Sequence, residues 1–158
     1  MRIGTSVSPV LVIACALSLS ACASRAADSR QIIAPGNART LATYSPAIRA
    51  GDLVFFSGQI GLRSDGQGLA GNTRDETRQA LENLRNLMDA ADVDVRHLVK
   101  CTVFLADIRD YAQMNEVYAE FFEPDPAPAR SAVGVAGLPA GARVEIECIA
   151  SVAQSNGG

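Results

Sequence analysis

The sequence predicts an α+β fold: a two-layer sandwich with two helices on one face of a mixed β-sheet. Three observations predict it. Apolar residues recur at helical spacing twice, over 73–91 and again over 111–121. Apolar, β-rich runs stand at 53–60, 99–105 and 144–152. The resulting order is β-β-α-β-α-β, with one extra short strand allowed, and two helices covering one side of a single sheet make two layers. At 158 residues the chain is long enough for one domain of ordinary size. With 48% hydrophobic and 20% charged residues, it can bury a core.

The chain opens with a segment outside that fold. Arg2 is a minimal positive n-region, and residues 10–19 (VLVIACALSL) form an apolar run too short to span a membrane. The run ends in Leu19-Ser20-Ala21-Cys22, which resembles a bacterial lipobox. The expectation is a signal peptide over 1–21, lipidation at Cys22, and a polar tether over 22–38. Ala23 stands where an aspartate would resemble an inner-membrane retention signal, so the expected location is the outer membrane, facing the periplasm. The folded domain is expected over 39–153 and a disordered tail over 154–158.

Within the domain, residues 41–48 suggest a short strand leading to a turn at Gly51-Asp52. Residues 53–60 (LVFFSGQI) read as a buried strand, and Gly58 inside it suggests a bulge or a close approach to the backbone. Residues 63–72 are a glycine-rich loop. Thr73 with Glu76 reads as a capping box, followed by the apolar stripe Ala80, Leu81, Leu84, Leu87, Met88 and Ala91. A strand over 99–105 comes next. Asp110 with Gln113 then caps a second helix whose apolar face is Tyr111, Met114, Val117, Tyr118 and Phe121. Pro124, Pro126 and Pro128 end that helix. A small-residue strand is expected over 131–137, and the final strand over 144–152.

Charge and motifs exclude several chemistries. Removing residues 1–21 takes away Arg2 and no acids, leaving 13 basic and 17 acidic side chains. With Lys100 the single lysine, a nucleic-acid partner is disfavoured. His97 is the only histidine, without ligand-spaced companions, and reads as a surface or capping residue rather than a zinc ligand. Ser57 lies outside any Gly-x-Ser-x-Gly motif, and no glycine loop has phosphate-cradling spacing. Cys101 and Cys148 both lie in apolar strand patterns. They are expected as buried free thiols, a disulfide being allowed if the strands are neighbours at suitable spacing.

Two segments carry positive signals. Pro126-Ala127-Pro128-Ala129-Arg130 holds an arginine on an extended, stiffened backbone, where its guanidinium can meet a carboxylate as a fork or form an ion pair with Glu145 or Glu147. Val144-Glu145-Ile146-Glu147 places two acids on one face of an otherwise apolar strand, where they need partners if covered.

Pro128-Ala129-Arg130-Ser131, Val144-Glu145-Ile146-Glu147, Phe56-Ser57-Gly58-Gln59 and Tyr44-Ser45-Pro46-Ala47, with the run from His97 to Leu105 and Met114-Asn115-x-x-Tyr118, together resemble the RidA/YjgF family. The likeness covers roughly residues 40–152. It implies a chorismate-mutase-like fold, a homotrimer with ligand sites between subunits, and hydrolysis of imines derived from enamines such as 2-aminoacrylate to 2-oxo acids and ammonia. It implies that Arg130 holds the substrate carboxylate and that Glu147 positions or activates water. Tyr44, Ser57, Gly58 and Asn115 would line the pocket, along with Ala132, which stands where many members have cysteine. No metal or organic cofactor is implied: an imine needs orientation, a water and a proton shuttle. The alternative is a non-catalytic envelope module that uses the same cleft to bind small carboxylates or a protein.

Overall fold

The computed structural model describes residues 30–36 and 43–152. The expected signal peptide, Cys22, most of the tether and the tail at 154–158 lie outside the described residues. Among those described, no helix is long and apolar enough to cross a membrane.

Six strands form one sheet: β1 Gln31–Ile33, β2 Ala47–Ala50, β3 Leu53–Ile60, β4 Leu98–Leu105, β5 Ala129–Gly134 and β6 Val144–Ser151. Their spatial order is β1-β2-β3-β6-β4-β5. Helix α1, Thr73–Ala90, joins β3 to β4, and α2, Tyr111–Phe122, joins β4 to β5. The β4–β5 pair is parallel, as a helical crossover requires, and the other pairs are antiparallel. The mixed two-layer sandwich is therefore observed. The sixth strand, β1, was not expected: it falls where the tether was expected and pairs with β2 from Gln31↔Arg49 to Ile33↔Ala47.

One sheet face packs under the helices. Val54, Val103, Leu105, Val144 and Ile146 from the strands meet Leu81, Leu84 and Met114 from the helices, all essentially fully buried. The predicted stripe of α1 is this core contact. In α2 the buried set is Met114, Val117, Tyr118 and Phe122, with Phe121 partly buried against the core, so the expected face is corrected at Tyr111 and extended by Phe122. Phe122 lies four residues beyond Tyr118 and continues its stripe, whereas Tyr111 is half exposed and turned to other work.

The cap assignments shift. Asn72, not Thr73, caps α1: its Oδ1 accepts from the Asp75 N–H at 3.0 Å, and its Nδ2 donates to Asp75 Oδ2 at 2.7 Å. Freed from capping, the Glu76 side chain turns into the interior and its Oε2 accepts from the Arg143 N–H at 2.7 Å. Asp110 makes no side-chain cap on α2. It accepts instead from Thr73 Oγ1 at 2.6 Å, tying the starts of the two helices together.

Cys101 and Cys148 form a disulfide, which corrects the expectation of free thiols. β4 and β6 are antiparallel neighbours whose register sets these two residues opposite each other with Cα atoms 4.1 Å apart. The sequence showed two apolar strands but not that they were adjacent.

Candidate functional site

Arg130 belongs to β5, paired with Cys101 of β4, so its side chain rises on the helix-covered side of the sheet. α2 receives it. Arg130 Nη2 donates to Asn115 Oδ1 at 2.6 Å and to the Tyr111 hydroxyl at 2.9 Å. The guanidinium carbon lies 4.4 Å from the Tyr118 ring centre and 5.6 Å from that of Tyr111. Both Nη2 protons are thus engaged, leaving Nη1 for an incoming anion. Asn115 and Tyr118 are one turn apart, and Tyr111 lies one turn before Asn115, so all three stack under one guanidinium. Ala132, two residues beyond Arg130, shares its face and packs against the core edge.

Tyr118 is 3% exposed, and its hydroxyl is the one buried side-chain polar atom without a hydrogen bond among the described residues. Burial pushes its pKa up to about 12, with the neighbouring Arg130 charge pulling the other way. Tyr111 and Tyr118 were read from sequence as apolar-face residues; their service to Arg130 was missed. The signal was available in their spacing around Asn115.

The carboxylates stand on the opposite side of the sheet. The β3–β6 register runs Phe56↔Cys148 and then Gln59↔Ile146, so Ser57 and Gly58 together oppose Glu147. This is the bulge that Gly58 suggested. Ser57 is held by its hydroxyl, which donates to the Ser45 carbonyl at 2.7 Å, and by its N–H, which donates to the Pro46 carbonyl at 2.9 Å. Ser57, Glu147 and Phe55 help to line a cavity of about 300 Å³. A second cavity, of about 310 Å³, shares Ser57 and adds Tyr44, Gly58, Pro139 and Glu145. Burial, and then the nearby Glu147 charge, hold the Glu145 carboxyl above its ordinary pKa.

One chain therefore brings Tyr44, Ser57, Gly58 and Glu147 to one face, and Arg130, Asn115 and Ala132 to the other. The two groups do not meet within it. Within one chain, the same alternation of faces excludes an ion pair between Arg130 and Glu145 or Glu147. His97 is exposed at the end of a short helical turn, as expected.

The face carrying the glutamates is not a typical water-facing surface. Phe55, Val133 and Leu53 stand on it, each about 40% exposed.

Comparison with known proteins bears on the family and the fold. A family model described as endoribonuclease L-PSP matches residues 35–152. The Arabidopsis thaliana protein named Reactive Intermediate Deaminase A, chloroplastic, is 44% identical over 113 residues, covering 71% of this chain and 60% of that protein. The human 2-iminobutanoate/2-iminopropanoate deaminase is 42% identical over 118 residues, covering 74% of this chain and 83% of its own. Among solved structures, the E. coli YjgF product superposes with a TM-score of 0.71 at 35% identity, covering 77% of this chain and 98% of that one. E. coli TdcF with bound serine gives 0.70 at 37% identity, covering 77% and 98%. The shared fold, matched over nearly the whole described domain, places this chain in the endoribonuclease L-PSP family, the RidA/YjgF proteins.

Proposed function

We propose that this protein hydrolyses small 2-imino acids of the 2-aminoacrylate type to 2-oxo acids and ammonia. The observation that carries the reading is the division of charge between the faces. A guanidinium is pre-oriented by Asn115, Tyr111 and Tyr118 on one face, and carboxylates stand beside two cavities on the other. Its support from relatives is that the human and Arabidopsis proteins are named deaminases of such intermediates. A structure of the E. coli relative with bound serine fits a ligand of amino-acid size.

The chemistry follows from the groups present. Arg130 binds the substrate carboxylate through a charge-assisted hydrogen bond. Glu147 takes a proton from water as its oxygen attacks the imine carbon, and the carbinolamine then expels ammonia. Tyr44, Ser57 and Gly58 shape the pocket. Because Arg130 and Glu147 of one chain face apart, the working site joins Arg130 of one copy to Glu147 of another. A homotrimer with three such clefts accounts for the apolar residues beside the glutamates. Lipidation at Cys22 would tether the domain to the outer membrane, facing the periplasm. The Cys101–Cys148 disulfide supports an oxidising compartment of that kind.

The test is ammonia or pyruvate release from freshly generated 2-aminoacrylate. Wild type should exceed buffer. Arg130→Ala should lower kcat/KM by about 10- to 150-fold, the equivalent of ~1.5–3 kcal/mol for a hydrogen bond to a charged group. Equal rates for wild type, variant and buffer would remove the catalytic reading. Calorimetric binding of a 2-oxo acid without turnover would leave a carboxylate-binding module.

A further inference from the structure

The bulge of β3 raises a question about the second acid. A Cβ at position 58 would lie 1.9 Å from Glu145 Oε1, so the Glu145 carboxyl occupies the space that any side chain there would need. Gly58 thus makes room for Glu145, not only for a ligand. The carboxyl lies in the cavity shared with Tyr44 and Ser57. No cation is ion-paired with it among the described residues. Its strand neighbours are Ile60 on β3 and Phe104 on β4, neither of them titratable. The titratable groups facing it are Glu147, two residues along the same face of β6, and Tyr44 across the cavity. Roughly 7 Å of strand separates the two glutamates.

Resting on the deaminase reading above, we propose that Glu145 is a second catalytic carboxyl, which holds the proton delivered to the departing nitrogen while Glu147 handles the water. Two acids placed in different environments divide acid from base work. Glu145 is partly buried and repelled by Glu147, and both effects raise its carboxyl above the ordinary pKa. The balance closes. Water oxygen bonds to the carbon of a protonated imine, the C=N π pair moves to nitrogen, and Glu147 takes the water's second proton. The neutral carbinolamine nitrogen then takes the Glu145 proton. The C–N bond breaks with its electron pair going to nitrogen, the hydroxyl proton returns to Glu145, and C=O forms. Ammonia collects the proton from Glu147 and leaves as ammonium, with both carboxyls restored.

The experiment compares wild type and Glu145→Gln on freshly generated 2-iminopropanoate across pH, with 2-oxobutanoate affinity measured by calorimetry. The variant should lose about 100-fold or more in kcat. It should also lose the alkaline fall of the wild-type kcat profile, which marks departure of the Glu145 proton, while 2-oxobutanoate affinity stays near wild type. Wild-type kcat with an unchanged alkaline limb overturns the Glu145 role and leaves the deaminase reading standing. A wild type no faster than buffer overturns the deaminase reading, and the role of Glu145 with it. Should the glutamine variant not fold, carbon-13 carboxyl titration of the wild type decides. A glutamate titrating well above the ordinary range supports the proposal, and uniformly ordinary glutamates overturn it.

Discussion

The two faces of the sheet treat charge in opposite ways. On the helix side, Arg130 is met by two hydrogen-bond acceptors and two aromatic rings, and the buried Glu76 accepts a backbone N–H. On the open side, Glu145 and Glu147 stand among apolar residues, and Glu145 is held above its ordinary pKa with no compensating cation among the described residues. A single chain satisfies the charged group on one face and leaves those on the other face without a partner among the described residues. On the trimer proposed above, the difference marks where a second copy would complete the site: the satisfied face is a property of the fold, the unsatisfied one would be covered by assembly.

The disulfide offers the largest way to perturb this contrast, because it joins the strand beside Arg130 to the strand carrying Glu147. It closes a loop of 47 residues in sequence separation. The chain-entropy account gives about 4 kcal/mol for such a loop. The double variant Cys101→Ala with Cys148→Ala should show that loss in denaturant unfolding, and reducing agent should bring wild type towards it. A loss below about 1 kcal/mol would mean that the sheet register alone fixes the two strands.

Glu76 sharpens the comparison from the satisfied side. Gly61 lets α1 approach so closely that a Cβ there would lie 2.5 Å from Glu76 Cα, and the Glu76 carboxylate then caps the Arg143 N–H just before β6. Glu76→Ala leaves that donor unmet and should cost about 1–3 kcal/mol. Glu145→Ala removes a carboxyl with no such bond, so its stability cost in the isolated chain should be smaller. Equal losses, compared by chemical denaturation, would erase the distinction drawn between the faces.

Much of the fold was legible because its periodicities are clean. The α1 stripe and the alternation Val144-Glu145-Ile146-Glu147 gave buried and open faces directly. Gly58 announced a bulge because glycine within a strand has few other uses. What stayed hidden depended on contacts distant in sequence. Strand order decides that Cys101 meets Cys148, and no local pattern states it. The cap lies at Asn72, and Glu76 finds its partner in Arg143, 67 residues away. Arg130 and Glu147 were named as candidate site residues by resemblance. That they face apart follows from two registers that only the folded sheet supplies.

Tyr111 gives the smallest and most selective perturbation. Its ring is half exposed, so removing its hydroxyl disturbs little packing, yet that hydroxyl takes one of the two Arg130 Nη2 protons. With Asn115 it fixes the guanidinium plane before a ligand arrives. Tyr111→Phe keeps the ring over which Arg130 lies and removes only the acceptor. The freed guanidinium can then rotate about the remaining Asn115 bond, and a carboxylate must order it on binding. The expected effect is a KM raised about fivefold, the equivalent of ~1 kcal/mol for one partly exposed hydrogen bond, with kcat kept. A general structural defect would lower kcat and thermal stability together. Steady-state kinetics beside a melting curve separates the two, and an unchanged KM would show that Asn115 and Tyr118 suffice to orient Arg130.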